Sequence, residues 1–235
     1  KDSEIPGAVR ELRELDLNNR VIFHSSGATP LEVLGPLRPA EVGVFHPVQS
    51  FPRPDPELFR GIAFGFRGGE GARRVAQRLA QELGGHLIEI RDQALYHAAC
   101  TLASGGLVRL LRLVAEAFGN ASGGSEADLL RLSLTTLKNA LKMGLRDAET
   151  GPWVRGDWPT VMAHRRALWR RAPKALEIYN LLQGEGKMDL APLLERLRCP
   201  RCGGELVQEG QGLKCLSCGA RYPVEAGVPL LEEEA

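Results

Sequence analysis

The first ninety residues alternate short apolar runs with amphipathic stretches. Val21-Ile22-Phe23 is closed by His24-Ser25-Ser26-Gly27, and Val42-Gly43-Val44-Phe45 by His46-Pro47. A third run covers 62–66, ahead of Gly68-Gly69, and Leu87-Ile88-Glu89-Ile90 is a fourth. Runs of this length bounded by turn residues predict strands. Between them apolar positions recur at helical spacing: Val9, Leu12 and Leu15 in a helix that Ser3 is expected to cap with Pro6 near its first turn, then Leu31 and Leu34, then Val75, Leu79 and Leu83 ahead of Gly84-Gly85. Strands separated by helices predict βαβ units and a mainly parallel sheet.

From Asp92 onward the strand signal disappears. Leu95, Ala99, Leu102, Val108, Leu111 and Val114 predict a long helix broken at Gly123-Gly124. Ser125 with Asp128 three residues on caps the next, which runs through Leu129, Leu132, Leu137 and Leu141. A loop over 150–157 leads to helices through Val161, Leu168, Leu176 and Leu181, and Asp157 before Trp158-Pro159 suits an N-cap. Gln183-Gly-Glu-Gly-Lys187 is a polar linker of the kind found at domain boundaries. The expected architecture is α/β: a partial Rossmann-like parallel sheet over 1–91, an all-helical domain over 92–183 and a small zinc ribbon over 188–235.

Composition narrows the function classes. The chain has 235 residues, 43% hydrophobic and 25% charged, as ordinary globular proteins do. Thirty basic side chains against 29 acidic ones leave +1, so no whole-chain field argues for a nucleic-acid or anionic-membrane partner. No uninterrupted apolar run reaches roughly eighteen residues, so nothing is expected to span a bilayer and no membrane partner is expected, and no basic start followed by an apolar run marks a secretory signal. Four of the five cysteines fall between Cys199 and Cys218, a pattern of a reduced, cytoplasmic metalloprotein rather than a disulfide scaffold. Cys100, alone in an apolar run, reads as a buried bystander.

Cys199-Pro-Arg-Cys202 and Cys215-Leu-Ser-Cys218 enclose twelve residues. Each C-x2-C pair sets two thiolates on one tight turn, and two such turns facing each other make the tetrahedral four-sulfur cage that zinc prefers. With all four positions taken by protein, Cys199, Cys202, Cys215 and Cys218 predict a structural zinc ion. A segment this short buries too little to fold well alone, and structural zinc contributes roughly 10–16 kcal/mol in comparable peptides. The cysteine pairs, with Tyr222-Pro223-Val224 and Gly227-Val228-Pro229-Leu230-Leu231, resemble the small zinc-ribbon activator subunit of tRNA and protein methyltransferases over about 188–232. Ala226 stands where that family usually has Asp. The resemblance implies that the strand at Val228 to Leu231 can pair with a partner protein, and the residues alone equally allow packing on the ribbon's own core. The partner implied is a methyltransferase, RNA or another protein.

His24-Ser-Ser-Gly27, His46-Pro-Val-Gln49-Ser-Phe51-Pro, Tyr96-His97-Ala-Ala and Thr150-Gly-Pro-Trp-Val-Arg155-Gly-Asp157 resemble, over about 1–183, a second family. It is a bacterial group of Rossmann-like, NADP-oxidoreductase-like proteins with a helical C-terminal domain, related in architecture to pyrroline-5-carboxylate reductase and 6-phosphogluconate dehydrogenase. The resemblance implies an NAD(P)-dependent reaction on a small-molecule substrate and a homodimer formed through the helical domain. Where that family reads Ala-Ser-Asn after the histidine, this chain has Ala103-Ser104-Gly105. No G-x-G-x-x-G opens a βαβ unit here; Gly65-Phe-Arg-Gly68-Gly69-Glu-Gly71 lacks the spacing and reads as a strand-to-helix turn. With Lys1 first, the chain is expected to enter partway through the Rossmann domain, so that NADP or NAD would bind only to a longer, full-length protein.

Ligands in parallel sheets sit beyond the carboxyl ends of strands. His24, Ser26, His46 and Gln49 lie at such ends as candidate substrate contacts, with Gly27 beside a cofactor. His97 is the candidate proton-transfer group, Asn139 a second catalytic candidate, and Thr150 and Arg155 candidates for orienting an anion or carbonyl. Simpler readings stand beside these: strand-end capping for His24 and His46, a satisfied core imidazole for His97, a structural amide for Asn139. His164-Arg165-Arg166 and Arg170-Arg171 flank Trp169, reading mainly as a solvated helix face that could also touch phosphates or stack on a base. Glu232-Glu233-Glu234 is an acidic tail.

Overall fold

The computed structural model describes residues 1–182, 194, 197–210, 212–225 and 228–231. The linker expected at 183–187 and the acidic tail lie outside them. The chain divides into two compact units, Lys1–Val108 and Arg109–Ala235.

The first unit carries β1 (Val21–His24), β2 (Glu41–Pro47), β3 (Ala63–Gly68) and β4 (His86–Glu89), adjacent in that order. β1 pairs parallel with β2 and β3 with β4, while β2 and β3 run antiparallel, so the sheet is mixed rather than purely parallel. The physical reason is the connection: 48–62 returns β3 alongside β2 with a short 3-10 turn, Pro56–Phe59, in place of a crossover helix. α1 (Ile5–Leu12) and the 3-10 segment Leu31–Leu37 pack Val9, Leu34 and Leu37 on one face, against Ile22 and Val42. The cap expected from Ser3 is absent, since Glu4 holds the N-cap position of α1 with no side-chain bond.

α2 (Glu70–Glu82) covers the other face. Its buried stripe is Ala72, Ala76 and Ala80, all fully buried, while the Leu83 of the expected stripe is exposed. Small side chains at i, i+4 and i+8 let the helix axis come close to the sheet, and Phe66, Phe23 and Phe45 fill the volume from the strand side.

α3 (Gln93–Thr101), a π-helical turn at Leu102–Gly106 and α4 (Leu107–Ser122) form one continuous helix across the division at residue 108. The second unit continues with α5 (Glu126–Met143), α6 (Trp158–Arg171) and α7 (Pro173–Leu182). Ser125 and Asp128 cap α5 reciprocally, and Asp157 caps α6 by accepting from Thr160 N. Trp153 Nε1 donates to Tyr179 Oη at 2.8 Å, fixing the 150–157 loop to α7.

The C-terminal segment folds as an antiparallel ribbon, β5 (Leu206–Glu209), β6 (Gly212–Cys215), β7 (Arg221–Glu225) and β8 (Val228–Pro229), in sequential order. Cys199, Leu206, Leu213, Cys215 and Tyr222 make its core, with Met162 of α6 packed against it.

Candidate functional site

Two places in the molecule gather chemistry. In the first unit, Ile22 and His24 on β1 and Val42, Val44 and His46 on β2 share one sheet face by the period-two rule. The two imidazoles therefore continue an apolar row at the carboxyl ends of two parallel strands. Opposite His46 in the register stands Gly65 of β3. Its missing side chain matters, since a Cβ there would fall against the Tyr96 hydroxyl. That hydroxyl bonds His46 Nδ1 at 2.7 Å.

α3 brings the other half. Its N-cap Asp92 accepts from Leu95 N, and Gln93, Tyr96, His97 and Cys100 recur at i, i+3, i+4 and i+7 on the helix. Gln93 Nε2 donates to the carbonyls of Gly27 and Thr29. The His97 ring lies 6.3 Å from that of His46, edge to face. Gly27 sits between them: a Cβ on it would lie 2.7 Å from His97 Cδ2 and 2.9 Å from His46 Nε2. Ser26 Oγ donates to Asp2 Oδ2 at 2.8 Å and accepts from Ala28 N and Thr29 N, holding the turn that presents Gly27.

The electrostatics favour neutral imidazoles. Burial pushes the His46 pKa down, reinforced by His97 and opposed by Asp2. Burial also lowers that of His24, against weaker opposing effects from the Pro30 backbone and Asp2. Burial raises the Tyr96 pKa strongly, with Cys100 adding to it. The protonated phenol and His46 Nδ1 share one hydrogen bond whose donor depends on the imidazole tautomer, and His46 Nε2 lies beside Gly27. His24 is 7% exposed, with the Pro30 backbone acting on its ring, and Gln93 Oε1 is buried. Buried polar atoms are nearly always bonded, and this cluster brings the buried polar side chains of His24 and Gln93 to the strand ends beside His46.

Of the residues singled out in the sequence, His24, Ser26, Gly27, His46 and His97 meet here. Of the two rings considered for strand-end capping, His46 bonds the Tyr96 hydroxyl, while the Pro30 backbone acts on His24. Gln49 is exposed, its amide bonded to Leu58 O and Ser50 N. Asn139 is exposed on α5 in the second unit, and Thr150 and Arg155 are exposed in the 150–157 loop of that unit. Gln93 was not singled out, nor was Tyr96 beyond its motif. The signal available was a polar stripe at helical spacing along an otherwise apolar helix.

Gly68-Gly69 does form a strand-to-helix turn, ending at α2. A dinucleotide would need its amide N–H groups free for a pyrophosphate. Glu41 stands there instead: Cβ atoms on Gly69 and Gly71 would lie 3.0 Å from its Oε2 and 2.8 Å from its Oε1. A carboxylate at the helix N-terminus satisfies the dipole and repels phosphate. The turn does not fit a dinucleotide.

The second place is the cysteine cluster. Its four sulfurs lie within 4.8 Å of one another, with Cys199 Sγ to Cys218 Sγ at 3.7 Å and Cys202 Sγ to Cys215 Sγ at 3.5 Å. A tetrahedron with Zn–S bonds of about 2.3 Å has edges near 3.8 Å, so the set fits that ion. Cys218 N points at Cys215 Sγ, and Tyr222 Oη lies 3.0 Å from Cys199 Sγ, the outer-shell contacts a thiolate cage uses.

Known proteins share this architecture. Protein TM1727 of Thermotoga maritima is 26% identical, with a TM-score of 0.63 over 78% of this chain and 75% of its own. A Bacteroides fragilis protein, BF3122, described as a candidate NADP oxidoreductase, shares the fold at 22% identity and a TM-score of 0.61, over 78% of this chain and 70% of its own. No protein of curated function is significantly similar. Residues 191–227 match the Trm112p-like protein family, in keeping with the ribbon and its cysteines. Residues 62–185, more than half the chain, match the domain of unknown function DUF2520, and the chain belongs to that family.

Proposed function

We propose that residues 1–108 form the substrate-facing part of an NAD(P)-dependent oxidoreductase-like enzyme acting on a small polar molecule. The observation that carries this reading is the cluster of His46, Tyr96 and His97 around Gly27, with Gln93 holding the Gly27 turn and His24 buried at the neighbouring strand end. In it, His46 Nε2–H donates to a substrate oxygen or nitrogen, and His97, whose ring is half-buried, exchanges a proton with that atom. A nicotinamide would supply hydride chemistry. The reading assigns its pyrophosphate to a glycine-rich strand-turn-helix outside residues 1–235, since Glu41 closes the nearest candidate turn. The test is NADPH consumption by a chain extended with such a unit, across a panel of small 2-oxo, imino and hydroxy acids. Turnover lost in His97→Gln is expected; NADPH binding without turnover on any member overturns the reading.

The same proposal assigns a structural zinc ion to Cys199, Cys202, Cys215 and Cys218, one per chain by elemental analysis and absent from a Cys202→Ser/Cys215→Ser variant. It also assigns a homodimer to the helices from α3 to α5, where large apolar side chains are exposed. One feature favours a second reading, a non-catalytic module recruiting a methyltransferase: β8 lies at the open edge of the ribbon's sheet, where a partner strand can add. Leu230→Asp should then abolish co-purification of a methyltransferase; failure of the unmodified chain to retain one removes this reading.

A further inference from the structure

The basic run of α6 resolves into two faces. Arg165 is buried and donates through Nε to Asn180 Oδ1 at 2.8 Å. Arg166, Trp169 and Arg170, spaced i, i+3 and i+4, turn instead toward the zinc ribbon and line one wall of a groove of about 930 Å³. Arg201, between the first two cysteines, and Arg221 on β7 stand on the ribbon side, with Leu230 among the apolar residues beside them. Among the described residues, four arginines and no carboxylate line this groove in a chain whose net charge is only +1.

Arg221 pairs with Glu209 at 2.8 Å, but the same carboxylate also takes Lys214 at 2.9 Å. Arg166 and Arg201 make no ion pair among the described residues. Trp169 is half-buried and is not part of the ribbon's core cluster, to which α6 contributes Met162. A large aromatic ring that lines a basic groove without filling a core has its face available for stacking.

Guanidinium groups recognise phosphate oxygens through a planar fork of donors, and an indole stacks on any base. We propose that the groove between α6 and the ribbon binds a nucleotide, free or within a single strand, with Arg166 and Arg201 on phosphates and a base on Trp169. An acidic peptide would satisfy the arginines and leave the indole unused. The size suits more than a bare phosphate, since pockets of roughly 300–1,000 Å³ hold ligands of nucleotide size and above.

The test uses the zinc-loaded full chain and the anisotropy of a short fluorescein-labelled oligoadenylate RNA. Saturable binding is expected, about tenfold weaker in Arg166→Ala/Arg201→Ala, with a logarithmic salt dependence shallower by about 1.4 for two lost phosphate contacts. Trp169→Leu should weaken it roughly five- to hundredfold. Displacement by AMP at similar concentration identifies a free nucleotide as the ligand, and displacement by unlabelled RNA alone identifies a strand. Arg166→Glu, exposed on the helix and remote in sequence from the cysteines, repeats the measurement if the Arg201 substitution disturbs the metal site. No binding, binding indifferent to Arg166 and Trp169, or displacement by polyglutamate as effective as by RNA overturns the proposal.

Discussion

At residue scale the first site depends on two absences of a side chain. Gly27 lets His46 and His97 approach from either side, and Gly65 makes room for the Tyr96 hydroxyl. Gly27→Ala would force both imidazoles to shift, at the roughly 1–3 kcal/mol typical of overpacking. The chain should stay folded while the His46 and His97 ring resonances move in NMR; unchanged resonances would refute this packing. Titration adds a second prediction. His24 and His46 both have folded pKa values below the ordinary value near 6.5. The unfolded chain therefore binds protons first, so stability is complete above about pH 6.5 and declines as pH falls toward the depressed folded values. Denaturant unfolding across this window should give a midpoint that falls with acid, with a flatter slope in His24→Asn/His46→Asn. A midpoint that rose on acidification would contradict the neutral pair.

At the scale of elements, local chemistry explains why some boundaries were readable. Ser125 N donates to Asp128 Oδ2 at 3.0 Å and Asp128 N donates to Ser125 Oγ at 3.4 Å, the reciprocal bonding that the Ser-x-x-Asp pattern predicts. Ser125→Ala should lower stability by about 1 kcal/mol with an unchanged denaturant slope; a loss within experimental error would mean that α5 is fixed by packing alone. The cysteine turns and the strand-end histidines were legible for the same reason, since each is set by residues a few positions apart. The antiparallel β2–β3 pair was not, because strand direction depends on how 48–62 returns, which no short pattern encodes. Nor was the alanine stripe of α2, where bulk was expected at Val75, Leu79 and Leu83 and close approach to the sheet selected small side chains instead. Gln93 escaped notice because its role lies in bonding carbonyls more than sixty residues away.

At the scale of the molecule, apolar surface without cover decides what remains. Neither α4 nor α5 has a buried residue. Leu102 before α4 is 72% exposed and Leu141 of α5 is 88% exposed. On α5 alone Leu130, Leu134 and Leu141 are large apolar side chains left exposed, and contiguous apolar surface of this kind is where protein or membrane docks. Gln93–Ser122 is long and apolar enough by itself to cross a bilayer, with a mean hydropathy of 1.4 in its best window, although no uninterrupted run of its sequence suggested it. Two features weigh toward protein: Gln93 and Tyr96 at one end are bonded within the first unit, and Arg109, Arg112 and Glu116 interrupt the other. A second copy burying α5 against its counterpart would cover the exposed leucines of this helix symmetrically. Sedimentation without detergent should therefore give a dimer, and Leu137→Glu/Leu141→Glu a monomer of unchanged helical content. A monodisperse monomer of the unmodified chain, or one that stays in solution only with detergent, would exclude the dimer and leave the bilayer as the surface these helices meet.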